Sequence, residues 1–322
     1  MMKQNNFYQE GREMVQNINR RSFLKSSVSG AVAGVVLGST LFNNKEGWIG
    51  TASAEEFRGK IKRAVYFGML PQPLSVMDKF KLAKECGFDG VEVPTLEESD
   101  QVEEFKKAMQ ATGVSIHSIM NQRHWKFPLS SADTTVVKKS IEGMEISLRN
   151  AKEFGAETVL LVPAVVNAEI SYKDAYVRSQ KYIRELLPLA KELNIIIAVE
   201  NVWNKFLLSP LEFARYVDEF DHPCLKAYFD VGNIVLYGIP QDWIRTLGKR
   251  IVKVHVKGFD EKNKQFVNLR DGTIDWLGVR RAFSDIGYSG YITAELSSGD
   301  AAYLKDVCDQ MGKIITGEKL KN

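Results

Sequence analysis

The stretch Ile195-Ile-Ile-Ala-Val-Glu200-Asn201 is a short apolar run that ends on a carboxylate. Three later runs have the same form: Leu225-Lys-Ala-Tyr-Phe-Asp230, Ile251-Val-Lys-Val-His255 and Tyr291-Ile-Thr-Ala-Glu295. Successive end residues lie 25 to 40 positions apart, and a strand, a helix and their loops take about 30 residues. If each run is a parallel strand, the four polar side chains emerge at one end of one sheet. In a (β/α)8 barrel, that end is the one that carries the chemistry.

Four further apolar runs precede this segment, and a helical pattern follows each of them: Arg63–Met69, Gly90–Pro94, Val114–Met120 and Thr158–Pro163. The runs are nearly continuous in Val, Ile and Leu, as expected for a sheet that is covered on both faces. Eight runs alternating with eight helical patterns predict a single α/β domain, a (β/α)8 TIM barrel over residues 55–322. A doubly wound open sheet is the alternative, although no glycine-rich phosphate loop follows the first run.

Composition narrows the classes of function. The chain has 322 residues and a formal net charge of +3. It shows no basic stripe of the kind that phosphate neutralisation needs, so we expect no nucleic-acid partner. Three cysteines without a CxxC pair argue against a disulfide framework or a thiolate metal site: Cys86, Cys224 and Cys308. We expect them to be small buried hydrophobic residues.

Residues 1–54 have the features of an export signal. Asn19-Arg-Arg-Ser-Phe-Leu-Lys25 resembles the twin-arginine motif, a glycine- and alanine-rich apolar run follows, and Ala52-Ser-Ala54 has cleavage-site spacing. We expect the twin-arginine export machinery to carry the chain to a periplasmic or other extracytoplasmic space, with residues 1–54 removed. The alternative is retention as a membrane anchor, for which the run is short, since a span takes about 20 apolar residues.

The four strand-end residues form an oxygen-rich ligand set: Glu200, Asp230, His255 and Glu295. Three carboxylates at one barrel mouth would repel one another, and a divalent cation offsets that repulsion. Carboxylate oxygens favour hard ions. We therefore expect one divalent ion. Mn²⁺ is the leading candidate, and Mg²⁺ and Co²⁺ are the next candidates. Zn²⁺, which usually takes more nitrogen or sulfur, stays open.

The sequence resembles the xylose isomerase-like (β/α)8 family of sugar isomerases and epimerases. The resemblance runs from about Arg63 to Ile315, and four strings carry it: Val199-Glu-Asn201, Phe229-Asp-Val-Gly-Asn233, Val254-His-Val-Lys257 and Ala294-Glu-Leu296. It implies that the matching Glu, Asp, His and Glu bind one metal. It also implies that Glu200 and Glu295 are catalytic: one removes a proton beside a carbonyl that the metal polarises, and the other returns it.

Three positions depart from the family pattern. Asn233 stands where many members have a histidine, and no acid follows Glu200 in the stretch from Asn201 to Phe206. Lys257 lies near the position, soon after the histidine, at which the family's epimerases have an arginine. The resemblance therefore implies the metal site but leaves specificity for a free-ketose 3-epimerase reaction open.

Seven residues are candidates for contact with a substrate: Glu92, His117, His124, Trp125, Trp203, Asn233 and Lys257. Several of them have a structural alternative. Glu92 could instead pair with a lysine, and His117 could point toward a helix. Trp125 could pack against its own loop without contacting a substrate.

The leading hypothesis is a divalent-metal-dependent isomerase or epimerase that acts on an unphosphorylated sugar or keto sugar through an enediolate. The runner-up is a lyase, dehydratase or 3-keto-glycoside-cleaving enzyme that uses the same metal site. A non-catalytic sugar-binding barrel is a weaker alternative. A nuclease is disfavoured, because a multi-zinc site would need more than the four histidines present. Assembly into a homo-oligomer is compatible with the sequence.

Overall fold

The computed structural model describes residues 61–318 and Leu320. In this part of the chain, eight parallel strands close into a barrel in the order β1-β10-β7-β6-β5-β4-β3-β2. The barrel strands are β1 (Ile61–Tyr66), β2 (Gly90–Pro94), β3 (Ser115–Met120), β4 (Thr158–Leu161), β5 (Ile196–Glu200), β6 (Leu225–Asp230), β7 (Ile251–Val256) and β10 (Gly290–Ala294). The predicted (β/α)8 barrel is confirmed, and the doubly wound alternative is wrong.

Helices follow the strands: α1 (Val76–Cys86), α2 (Ser99–Thr112), α3 (Thr134–Phe154), α4 (Tyr172–Leu193), α5 (Pro210–Asp218), α6 (Val231–Ile234), α7 (Pro240–Leu247), α8 (Trp276–Asp285) and α9 (Ala301–Thr316). Local chemistry sets their ends. Ser75 caps α1 by accepting from the amide of Asp78, and Gly87 ends it at a φ of 94°. Because glycine enters this left-handed region without steric cost, the chain turns sharply into β2.

Side-chain alternation along each strand decides which residues reach the barrel axis. On β6, Phe229 points outward and packs against Phe283 of α8, with ring centroids 6.4 Å apart. Its neighbour Tyr228 points inward and lies 4.4 Å from the His255 ring. Asp230 follows Tyr228 by two residues and pairs in register with His255 on β7. The same alternation that buries the outer apolar face therefore delivers polar side chains to the interior.

A short antiparallel hairpin, which was not among the predicted elements, follows β7. It consists of β8 (Gly258–Asp260) and β9 (Gln265–Val267). Asp260 holds the turn by accepting from the amides of Lys262 and Asn263. The hairpin places Phe266 against Trp203, with their rings stacked 4.6 Å apart.

The predicted strand ends need two corrections. β1 ends at Tyr66, and Phe67–Met69 forms a 3-10 turn instead of more strand. β4 ends at Leu161, two residues before Pro163, which has no N–H to donate. The predicted export signal lies outside the described residues. No helix in the described part of the chain is long and apolar enough to cross a bilayer.

Candidate active site

Four strand ends bring the predicted metal ligands together. Glu200 ends β5, Asp230 ends β6, His255 lies on β7, and Glu295 follows β10 directly. One ligand atom from each residue can be chosen so that all four lie within 4.8 Å of one another. The first three side chains are buried and Glu295 is partly exposed, so the cluster has one side open to the barrel mouth.

The Nδ1 atom of His255 is the imidazole nitrogen that faces the three carboxylates. It lies 2.8 Å from Oε1 of Glu200, 3.5 Å from Oε2 of Glu295 and 3.9 Å from Oδ2 of Asp230. These separations place the nitrogen and the carboxylate oxygens around one small volume.

Two asparagines fix the ends of β5 and β6 relative to each other. Asn201 donates from Nδ2 to the carbonyl of Asp230 and accepts from the amide of Asp230, both at 2.9 Å. Asn233 donates from Nδ2 to the carbonyl of Asn201 at 2.9 Å, and its amide donates to Oδ1 of Asp230 at 2.8 Å. These buried bonds extend strand pairing beyond the strands and hold Glu200 and Asp230 in place.

Lys257 supplies a buried side-chain cation. Its Nζ lies 2.9 Å from Oδ2 of Asp230 and also pairs with Oε2 of Glu295. Burial alone would lower the pKa of Lys257, but the carboxylates of Asp230 and Glu295 raise it. In turn, burial would raise the pKa of Glu295, while His255 and Lys257 lower it. Both partners are therefore held in their charged forms.

The other carboxylates are less well compensated. Burial raises the pKa of Glu200 to about 7 and also raises the pKa of Asp230. Oδ2 of Asp230 is buried; its ion pair with Lys257 at 2.9 Å lacks hydrogen-bond geometry, and no other described residue donates to it. Burial would lower the pKa of His255, but the Glu92 and Glu295 carboxylates raise it well above its usual range. This crowded, under-compensated, oxygen-rich set fits a divalent metal ion, which would supply the missing positive charge.

A cavity of about 210 Å³ opens beside the cluster. Both Glu200 and Glu295 line it, and so do five of the seven predicted substrate contacts: His124, Trp125, Trp203, Asn233 and Lys257. Burial lowers the pKa of His124 to about 4, so this imidazole is neutral at ordinary pH.

Glu92 and His117 do not reach this cavity. Glu92 is fully buried, and its Oε2 lies 2.6 Å from Nε2 of His255 on the side away from the carboxylate cluster. His117 is 3% exposed; it bonds to Thr293 at 3.1 Å and stacks on Tyr291, near the start of β10. Both lie inside their strands rather than at the ends, and the contacts described here are with residues within the barrel.

Several cavity residues were not among the predicted contacts. They are Met120, Leu160, Val202 and Phe266. Phe266 had a usable signal, because the polar stretch Asp260-Glu-Lys-Asn-Lys264 between two short apolar runs is typical of a hairpin turn. The other three are strand or loop hydrophobics, which nothing in the sequence distinguishes from core residues.

Comparison with known proteins agrees with this geometry. Residues 80–311 match the profile of the xylose isomerase-like TIM barrel family. L-ribulose-5-phosphate 3-epimerase UlaE of Salmonella typhi is 26% identical over 247 residues, covering 72% of this chain and 84% of that protein.

Two solved structures share the fold. D-allulose 3-epimerase from Methylomonas sp. in complex with D-allulose has a TM-score of 0.67 at 17% identity, covering 79% of this chain and 96% of that one. The 3-keto-D-glucoside 4-epimerase YcjR from E. coli has a TM-score of 0.67 at 17% identity, covering 78% and 99%. These relatives are sugar epimerases, which are isomerase-class enzymes, and they give the lyase alternative no support. The family profile matches well over half of this chain, and the chain therefore belongs to the xylose isomerase-like TIM barrel family.

Proposed function

We propose that this protein is a divalent-metal-dependent isomerase or epimerase that acts on an unphosphorylated sugar or keto sugar. The observation that carries the proposal is the placement of Glu200 and Glu295. Two strands, β6 and β7, separate β5 from β10 in the closed order, yet both carboxylates border one cavity and one ligand cluster. Two bases that approach one site from different directions are what proton removal and return require.

The reaction would use the two glutamates in turn. One takes a proton from the carbon beside a carbonyl, which leaves an enediolate. The other delivers a proton to the opposite face of that carbon, or to the neighbouring carbon. Return to the opposite face re-forms the carbonyl and gives an epimer. Return to the neighbouring carbon, with the hydroxyl proton passing to the former carbonyl oxygen, gives an isomer. Lys257 contributes by holding Glu295 ionised and in place.

Glu200, Asp230, Glu295 and Nδ1 of His255 would hold the ion. When bound, a divalent metal polarises a carbonyl and an adjacent hydroxyl and so acidifies the C–H bond between them. We propose Mn²⁺ as the resident ion, on the grounds that three carboxylates outnumber one imidazole in the ligand set.

The lining of the cavity supports a neutral substrate. Among the described residues that line it, Lys257 is the only lysine or arginine, and it is already paired with two carboxylates. Trp125, Trp203 and Phe266 offer broad apolar faces, against which the C–H face of a sugar ring can pack. The UlaE relative is named for a phosphorylated sugar. We expect the substrate of this chain to differ from that sugar by lacking the charged phosphate group.

Proton exchange in D₂O tests the proposal. Protein reconstituted with Mn²⁺ is incubated with a panel of free sugars and 3-keto sugars, and products are followed by NMR and mass spectrometry. Deuterium at one carbon without bond cleavage supports the proposal. Release of an aglycone would instead indicate the lyase reaction, and no exchange by metal-loaded protein with any sugar would contradict both.

We also propose that residues 1–54 direct export by the twin-arginine route. The support is the Arg20-Arg21 pair, followed by an apolar run and by Ala52-Ser-Ala54. Replacing both arginines by lysine should hold the protein in the cytoplasm. N-terminal sequencing of the exported wild type should begin at Glu55; an intact N-terminus in the membrane fraction would indicate an anchor.

A further inference from the structure

We propose that Glu92 is a positioning residue that orients His255 for metal binding, an inference that rests on the proposed function. Glu92 lies on β2 and His255 on β7, so their contact crosses the barrel interior. Both side chains are fully buried, and Oε2 of Glu92 lies 2.6 Å from Nε2 of His255. The other ring nitrogen, Nδ1, faces Glu200 at 2.8 Å.

The two contacts divide the imidazole into two ends with different roles. A neutral imidazole carries a proton on one nitrogen and a lone pair on the other. If Nε2 donates its proton to Glu92, the lone pair is on Nδ1, which is the nitrogen aimed at the ligand cluster. A carboxylate behind a ligating histidine also makes the ring a stronger donor.

Tyr228 packs beside the imidazole ring of His255. Its own ring centroid lies 4.4 Å from that of His255 at an angle of 49°. Tyr228 is fully buried and precedes Asp230 on β6 by two residues, so it stands beside the histidine at the same level of the barrel. With one face packed and both nitrogens engaged, the ring has little freedom to turn.

The matched experiment compares Glu92→Gln with Glu212→Gln. Glutamine keeps the size and an acceptor oxygen but removes the charge. Glu212 accepts a hydrogen bond of equal length, 2.6 Å, from Tyr172 on the outer helices, so it controls for loss of a carboxylate hydrogen bond elsewhere. The probe is Co²⁺, whose dissociation constant and visible absorption spectrum report affinity and ligand field. The melting temperature in excess chelator reports folding without metal.

We expect Glu92→Gln to weaken Co²⁺ binding about 10- to 100-fold and to shift the visible spectrum at saturation. Glu212→Gln should match the wild type in both. If Glu92 only supports folding, its substitution would lower the melting temperature in chelator but leave the Co²⁺ affinity and spectrum of the folded fraction unchanged. That result would overturn the inference.

A measurement on the wild-type protein tests the inference even if the Glu92→Gln variant does not fold. Histidine labelled with ¹⁵N gives few signals, because the chain has four histidines. In Zn²⁺-loaded protein, one ring should carry its proton on Nε2 with Nδ1 bound to metal, and the opposite arrangement would contradict the inference. Failure of the wild type to bind Co²⁺ at all would count against the proposed function itself. Equal binding by wild type and Glu92→Gln would remove only the role of Glu92.

Discussion

The ammonium of Lys257 lies 2.9 Å from Oδ2 of Asp230 and pairs with Glu295 as well, so a side-chain cation rests on two of the four candidate metal ligands. Lys257 leaves β7 only two residues after His255, which makes this contact a consequence of local sequence. The lysine offsets part of the carboxylate repulsion. It also places a positive charge where it opposes an incoming divalent ion.

Replacing Lys257 with methionine should therefore tighten Mn²⁺ binding. Two like unit charges about 4 Å apart repel each other by about 4 kcal/mol at an effective dielectric constant near 20, and a divalent ion about doubles this. Solvent and rearrangement will reduce the effect. We expect an increase in affinity of about tenfold, measured by titration of free Mn²⁺ with electron paramagnetic resonance. Lys305→Met, which removes an exposed ion pair with Asp309, is the control. Weaker binding by Lys257→Met would show that the lysine organises the ligands rather than competing with the ion.

Glu200→Gln and Glu295→Gln should each abolish conversion of the sugar into its epimer or isomer, because an amide can neither take a proton from the substrate nor return one to it. Loss of a positioned acid–base group typically costs 10²- to 10⁴-fold in rate. The comparison is made at saturating Mn²⁺, so that weaker metal binding does not account for the loss. Glu212→Gln again serves as the control. Normal conversion of the sugar by either variant would remove that glutamate from the mechanism.

Removing the metal should lower stability. An ion present at 100 times its dissociation constant adds about 2.7 kcal/mol to the free energy of unfolding. For a domain of this size that corresponds to a decrease in melting temperature of about 5–10 °C when a chelator is added. Asp230→Asn should shrink the difference between the melting curves with and without Mn²⁺. An unchanged difference would mean that stabilising metal binds elsewhere.

Asn201→Ala should destabilise the metal-free protein. The substitution removes both bonds to the backbone of Asp230 and leaves a buried amide and carbonyl without those partners. Each such loss costs about 1–3 kcal/mol, so we expect a decrease of about 2–6 kcal/mol in the free energy of unfolding, measured by denaturant titration in chelator. Asn263→Ala, which removes a bond in the exposed hairpin turn, should cost well under 1 kcal/mol.

The fold and the ligand cluster were predictable because each ligand ends or follows an apolar strand, and parallel strands end together. Glu200 and Asp230 are the last residues of their strands, so an error of one position in the strand end would not have moved them from the mouth. Glu92 differs because two further strand residues follow it, which puts it below the rim and behind His255. Sequence does not fix a strand end to that accuracy.

The wall of the cavity was less predictable. Phe266 reaches Trp203 only because a hairpin of two three-residue strands folds back over the mouth. The polar turn at residues 260–264 can be recognised in the sequence, but strands of three residues are too short to show a clear alternation of apolar and polar residues. Met120 and Leu160 line the cavity because they lie at or next to the ends of their strands. Their residue types are equally common in an ordinary hydrophobic core.

The most direct test of the central claim is anomalous diffraction from crystals of the Mn²⁺-loaded protein. We predict a single strong peak bounded by Glu200, Asp230, Glu295 and Nδ1 of His255, at about 2.0–2.3 Å from the ligand atoms, with Lys257 displaced from Asp230. A peak at any other place, or no peak while Lys257 still bridges Asp230 and Glu295, would contradict it.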